Sequence, residues 1–157
     1  MNNAINKKPY SPTQEKWMKR FLKVYSKVNV WIYQKSGGKY GAKFQGKAPV
    51  LLLTMRGRKS GQLKTTPLIH IQHQDSVVLV ASQGGLSKDP VWYLNLQADP
   101  NVEITIGDHK QKMLARKVSL EEKQALWPLI CKVHPDFQSY QEKTERDIPV
   151  MICSPVE

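Results

Sequence analysis

The sequence predicts a mainly β chain of the α+β class, a small antiparallel barrel of six or so strands with peripheral helices. Three observations predict it. Short apolar runs recur at about 49–55, 64–72, 76–82, 102–106, 109–118 and 148–153. The turns between neighbouring runs are mostly brief and polar or Gly-containing, and strands joined by short turns pair antiparallel. Helical periodicity is confined to the start, the middle and the region near the end. The chain has 157 residues, 40% hydrophobic and 24% charged, enough for one domain with its own core.

The first element is a helix beginning near Pro12 and Thr13, because Trp17, Phe21, Val24, Val28 and Trp31 recur at helical spacing, widened by Leu22, Tyr25 and Ile32. Thr13 and Lys16 do not make a capping box. Lys16, Arg20, Lys23 and Lys27 form a neighbouring basic face. Two roles are open to this helix: its stripe can cover the barrel core, or it can lie on an anionic bilayer. Ser36 to Gly41 reads as a loop, so residues 1–40 form a basic helical arm with its linker and residues 48–155 the barrel. The first three strands follow, the last pair joined near His73-Gln74-Asp75. Asp89 as N-cap and Pro90 at the first helical position open a short helix ended by Asp99-Pro100. Val102, Ile104 and Ile106 alternate with polar residues, and Gly107-Asp108 turns into the next strand. Ser119 and Glu122 make a capping box for a helix carrying Leu126, Trp127, Leu129, Ile130 and Val133. Pro128 is expected to kink that helix, and His134-Pro135 to break it. A second helical piece spans about 136–145, before the closing strand.

The net charge of +11 is lopsided. Residues 1–47 carry eleven Lys/Arg against the single acid Glu15, whereas the remaining 110 carry thirteen against twelve acids. Nucleic-acid modules spread cations over a face and interleave aromatics, which this pattern does not do. Cys131 and Cys153 stand far apart in apolar stretches, as reduced core thiols of a cytosolic protein would. No run has the length of a membrane span, and Met1-Asn2-Asn3-Ala4 lack the apolar stretch of a secretory leader.

Chemistry concentrates near the strand ends. Gly57-Arg58-Lys59-Ser60-Gly61, with Lys64 beyond it, places two cations and a hydroxyl in a flexible turn, a combination suited to phosphate and also found in ordinary basic hairpin loops. Pro67, Leu68 and Ile69 sit on the returning strand. Ala81-Ser82-Gln83-Gly84-Gly85 ends a strand in small residues that admit a flat ligand closely. Val91-Trp92-Tyr93-Leu94-Asn95 starts a helix, whose first N–H groups are unpaired. Together these describe a long ligand with a planar head and an anionic tail, although core packing is an equally direct use for Trp92, Tyr93 and Leu94. A P-loop is excluded because Arg58 stands where its glycine belongs, and GxSxG, HExxH, CxxC and metal-ligand spacings are absent. His70 and His73 straddle a hairpin and read as solvated. Redox chemistry borrowed from a cofactor fits best, since the protein need only position and polarise it.

The ordered set Leu53-Thr54-Met55-Arg56-Gly57-Arg58-Lys59-Ser60-Gly61-Gln62, Thr66-Pro67-Leu68, Ala81 to Gly85, Trp92 to Leu96, Asn101 to Ile104, Trp127-Pro128 and Asp147 to Val150 resembles the deazaflavin-dependent nitroreductase family. The resemblance implies a split β-barrel of the FMN-binding type and reduced coenzyme F420 as hydride donor to a planar quinone, nitroarene or activated alkene. It implies that Arg58, Lys59 and Ser60 hold the phosphate and Lys64 the acidic tail. Thr65, Thr66, Pro67, Leu68 and Ile69 would line the cofactor. Val80, Ala81, Ser82 and Gln83 would border its ring, with Phe137 nearby, and Val91, Trp92, Tyr93, Leu94 and Asn95 would close the other side. Ser82 and Tyr140 would hydrogen-bond the acceptor, with His134 as proton source. A cytoplasmic protein, monomer or homodimer, resting peripherally on the inner face of the cell membrane is the expected setting. The chain departs from the family where His134, Phe137 and Tyr140 stand among expected tyrosines, at Gln83 in place of a basic residue, and at Ile69 in place of an aromatic. The alternatives are an FMN-using reductase of the same fold and a non-catalytic membrane-surface or ligand-binding module.

Overall fold

The protein, here a computed structural model, is described over residues 8–157; residues 1–7, with Lys7 and the Met1–Ala4 segment, lie outside the described residues. Its elements in order are α1 (Pro12–Lys35), β1 (Lys43–Phe44), β2 (Ala48–Arg56), β3 (Leu63–His73), β4 (Ser76–Val80), a 3₁₀ turn at Gln83–Gly85, α2 (Val91–Ala98), β5 (Asn101–Ile106), β6 (His109–Lys117), α3 (Leu120–Val133), α4 (Asp136–Lys143) and β7 (Val150–Pro155). The strands run β2-β3-β4-β7-β6-β5, and a further β2–β5 pairing closes them into a six-stranded barrel with every pairing antiparallel. The predicted six strands are all present, and β1 adds a two-residue ribbon on β2.

The runs Val50–Leu53 and Val77–Val80 lack polar alternation because the barrel wall is buried on both faces. Leu51, Leu53, Val77 and Leu79 point inward with Ile104 and Met151, forming the barrel core. Val78, Val80, Ile71 and Ile152 point outward and pack under α3 and α4 through Ile130 and Phe137. Each such fully buried side chain contributes about 1.5–3 kcal/mol of transfer free energy. Cys153 lies in the core and Cys131 is half-buried, both as free thiols.

Several boundaries differ from expectation for local reasons. α1 starts at Pro12 as expected, but its capping box is Ser11 with Gln14, a signature present in the sequence one residue before the expected start. The predicted Ser119–Glu122 box is present, and the same Glu122 takes a bidentate fork from Arg116 at 2.8 and 3.0 Å. That fork, with the Ser119 N–H, pulls the Glu122 carboxyl down to about 2. The α2 helix begins one residue late, with Pro90 rather than Asp89 at the cap, because the Asp89 carboxylate is taken by Arg146. Strand β4 stops at Val80, where the chain turns into the 3₁₀ segment.

The α1 stripe does not cover the barrel. Trp17, Phe21, Val24, Val28 and Trp31 are 52–66% exposed, whereas Asn29 and Tyr33 on the other face are buried. The helix docks through polar contacts: Tyr33 Oη accepts from Gly107 N at 2.7 Å, Ser26 shares a hydrogen bond with Thr66, and Glu15 receives both the N–H and the hydroxyl of Ser87.

Candidate functional site

The basic loop is built by its own backbone. Gly61 N donates to Gly57 O and Gly57 N to Gln62 O, both at 2.8 Å, closing a tight turn between β2 and β3. Gly57 leaves room there for two loop side chains, since a Cβ would lie 2.7 Å from Ser60 Oγ and 3.2 Å from Lys64 Cε and would push both aside. The turn is aimed by Arg58 N, which donates to Asn95 Oδ1 at 3.1 Å and so ties the loop to α2. Asn95 is buried and acts on the loop rather than facing outward. Arg58, Lys59, Ser60 and Lys64 are exposed, and among the described residues no carboxylate pairs with Arg58, Lys59 or Lys64. Three exposed cations without a carboxylate partner, beside a hydroxyl, offer charge-assisted donors of the kind that suit an anion.

From Lys64 to Ile69 the third strand spans roughly 17 Å at the usual rise per residue. Thr65, Thr66, Pro67, Leu68 and Ile69 along it are half-buried. Leu68 packs toward the barrel core and Ile69 toward the outer core.

The other end is a cradle. Val80, Ala81 and Ser82 are buried, and Ala81 N donates to Pro149 O at 2.9 Å. Gln83, Gly84 and Gly85 then take three successive left-handed conformations, with φ of 46°, 67° and 82°. The Gln83 Oε1 is buried without a hydrogen-bond partner. A polar atom of that kind costs free energy unless a ligand or water meets it. α4 closes over this turn: a Cβ on Gly85 would lie 2.7 Å from Tyr140 O.

Beside the cradle sit His134, Phe137 and Tyr140 in mutual ring contact, with Phe44 from β1 and then Tyr25 from α1 continuing the row. His134 Nε2 lies 3.4 Å from Tyr140 Oη. Burial pushes the His134 imidazole down and the Tyr140 phenol up to about 12. His134 is therefore neutral near pH 7, able to exchange a hydrogen bond with the phenol but not charged as a ready acid.

The structure therefore joins Arg58, Lys59, Ser60 and Lys64 with Asn95 at one end of β3. Midway along β3, beside Ile69, it joins Val80, Ala81, Ser82 and Gln83 with His134, Phe137 and Tyr140. Trp92 and Tyr93 pack into the barrel core with Leu94 against it, while Val91 is exposed at the uncapped start of α2. What these four can offer a ligand is an edge and first-turn N–H groups more than ring faces. His70, expected to be solvated, is buried, bonded to Pro49 and left with an unpartnered Nδ1, because the β3–β4 pairing carries it beside Leu79 rather than into the hairpin turn. Arg146, which no sequence pattern singled out, reaches the cradle from the segment before β7.

The two buried histidines set a pH dependence. Burial lowers both from the ordinary value of 6.5, so the unfolded chain binds more protons in the window below it. Stability is then complete above about pH 6.5 and is lost as pH falls toward the lower folded values. Thermal melts should show Tm falling between about pH 7 and pH 5; a flat profile would contradict the buried neutral state.

The family model described as F420H(2)-dependent quinone reductase matches residues 25–155. The Mycobacterium tuberculosis protein Rv3178, provisionally named an F420H(2)-dependent quinone reductase, is 41% identical over 115 residues, covering 73% of this chain and 97% of that protein. A solved F420-H2 dependent reductase, FDR-A, is 37% identical with a TM-score of 0.63, over 68% of this chain and 94% of that one. Another solved chain, described as a domain-swapped dimer, is 32% identical with a TM-score of 0.66, over 92% of this chain and 100% of that one.

Proposed function

The chain belongs to the F420H(2)-dependent quinone reductase family, and on that premise we propose how its residues hold the cofactor and meet the acceptor. It is an F420-dependent oxidoreductase with a split β-barrel, passing hydride from reduced F420 to quinone-type acceptors. The observation that carries the residue assignment is the set of unpaired cations at the start of β3 and the left-handed cradle beside its middle, near Ile69. Arg58, Lys59 and Ser60 bind the phosphate and Lys64 the acidic tail. Thr65 to Ile69 flank the linker and ring, Val80 to Gln83 border the ring, and Val91 with the first-turn N–H groups of α2 lies along the opposite edge. The unpartnered Gln83 Oε1 suits an N–H of a planar heterocycle. The barrel of residues 48–155 is the cofactor-binding unit, and residues 1–40 are an arm upon it.

When bound, the reduced deazaflavin supplies the hydride. The protein's own part is to orient and to stabilise charge. The hydroxyls of Ser82 and Tyr140 donate hydrogen bonds to oxygen on the acceptor as it gains charge, worth about 1–4 kcal/mol in a dry site. Neutral His134, 3.4 Å from the phenol, steadies Tyr140 and, taking up a proton from water at Nδ1 as Nε2 gives one up, relays a proton to it. Planar nitroarenes and activated alkenes are accessory acceptors of the same pocket. Titration with F420 and with FMN tests the assignment: tight binding of F420 and turnover of a short-chain menaquinone support it, and preferential binding of FMN refutes it.

The exposed stripe of α1, flanked by Lys16, Arg20, Lys23 and Lys27, lays the arm on an anionic membrane, where lipid-soluble quinones reside. Among the described residues no helix is long and apolar enough to cross a membrane; the contact proposed for α1 is a peripheral one on the cytoplasmic face. A dimer, after the domain-swapped relative, is compatible with this contact. Phosphatidylglycerol vesicles should retain the protein and release the Trp17→Glu/Trp31→Glu variant; equal retention of both would exclude the stripe.

A further inference from the structure

We propose that Arg146 is a positioning residue that clamps the turn of residues 81–86 into the shape the deazaflavin ring requires, an inference that rests on the ring-site reading above. Its guanidinium touches the turn on both flanks. Nη2 donates to Ala81 O at 3.1 Å and to Ser82 O at 2.8 Å, before the left-handed residues, and Nε donates to Leu86 O at 2.9 Å, after them. Nη1 is anchored on Asp89 Oδ1 at 2.8 Å, one residue ahead of the Pro90 that opens α2. One planar fork therefore fixes the entry and the exit of the same six-residue bend, and fixes it relative to α2.

The bend needs an external hold. Gln83 is a non-glycine residue at φ 46°, followed by two further left-handed residues, a run that no regular hydrogen-bond ladder maintains. Its own backbone bonds are the short-range pairs Gly85 N to Ser82 O and Leu86 N to Gln83 O. The Arg146 side chain is only 15% exposed, and three of its four partners are backbone carbonyls of the cradle itself. Hydrogen bonding of a cation to the Ala81 and Ser82 carbonyls also polarises those two peptide units, which strengthens the N–H donors of Ser82 and Gln83 that border the ring. A lysine at this position keeps the charge, but its three donors radiate from one nitrogen and do not reproduce the planar fork that spans Ala81, Leu86 and Asp89. Geometry, not charge alone, is therefore what the site demands.

The test uses the full chain as wild type, Arg146→Lys, Arg146→Met and Asp89→Asn, with folded fraction checked by circular dichroism. Hydrogen exchange of the protein without cofactor should accelerate about tenfold at residues 82–86 in both Arg146 variants, while β2 and β5 amides keep wild-type rates. F420 affinity, read by fluorescence, should weaken about tenfold in both, with kcat at saturating cofactor within about twofold of wild type. Asp89→Asn, which keeps the guanidinium but loosens its anchor, should shift both readouts by about two- to fivefold and keeps the proposal decidable if the Arg146 variants fail to fold. Wild-type exchange and affinity in Arg146→Lys would overturn the proposal, as would faster exchange spread over the whole barrel or faster exchange at 82–86 with unchanged affinity. Failure of the wild-type protein to bind F420 would instead overturn the ring-site reading, and hydrogen exchange would still decide the clamp.

Discussion

Replacing Arg58 and Lys59 together by alanine is expected to weaken F420 binding by about 100-fold without unfolding the protein. Each cation offers a charge-assisted hydrogen bond to a phosphate, and because the loop is open to solvent the low end, about 1.5 kcal/mol each, is the right scale. Two such losses amount to about 3 kcal/mol, or about two powers of ten in Kd. The fold is spared because both side chains are exposed, and the bond that aims the loop is made by the Arg58 backbone N–H, which alanine retains. Lys43 and Lys47, exposed cations outside the loop, provide the control for net charge. Fluorescence titration at two salt concentrations is the measurement: the loss should shrink as salt rises, since screening already weakens the wild-type contact. Equal affinity of the loop variant and the wild type would show that the phosphate lies elsewhere.

Gly85→Ala is expected to destabilise the protein by about 2–4 kcal/mol, combining the cost of a left-handed alanine with that of overpacking against backbone. At φ 82° the new Cβ would stand 2.7 Å from Tyr140 O and 3.1 Å from Tyr140 Cα. Backbone of α4 cannot step aside as a side-chain tip can, so the helix must lift from the cradle and carry Tyr140 with it. For a chain of this size the change corresponds to a fall of about 5–15 °C in Tm. Gly84→Ala isolates the first cost, because Gly84 also has a left-handed φ, of 67°, yet nothing lies within 4 Å of its Cβ position. It should lose only about 1 kcal/mol. Denaturant titration of the pair checks this; equal losses would mean that α4 does not press on the turn.

What was legible and what was not divides along the range of the interaction. All six barrel strands were readable because the apolar period and the turn residues are written within a few positions of each other. The Ser119–Glu122 box was readable for the same reason, and the Ser11–Gln14 box carries the same kind of signature, with Gln in place of Glu. The cation loop was visible as a cluster. The destination of α1 was not: its apolar period was plain, but period alone does not say which face meets the barrel, and here Asn29 and Tyr33 turn inward while the tryptophans face out.

By itself, then, the sequence determined the class of fold, the run of strands, the basic corner and the small-residue bend, since each is a property of a short stretch of chain. Only the tertiary structure decided the insertion of β7 between β4 and β6, the burial of His70, and the capture of Asp89 by Arg146 across 57 residues. The physical reason is that burial and pairing at long range depend on which segments the closed sheet brings together. A lone arginine or histidine looks the same in a string of letters whether water or a ring of carbonyls surrounds it.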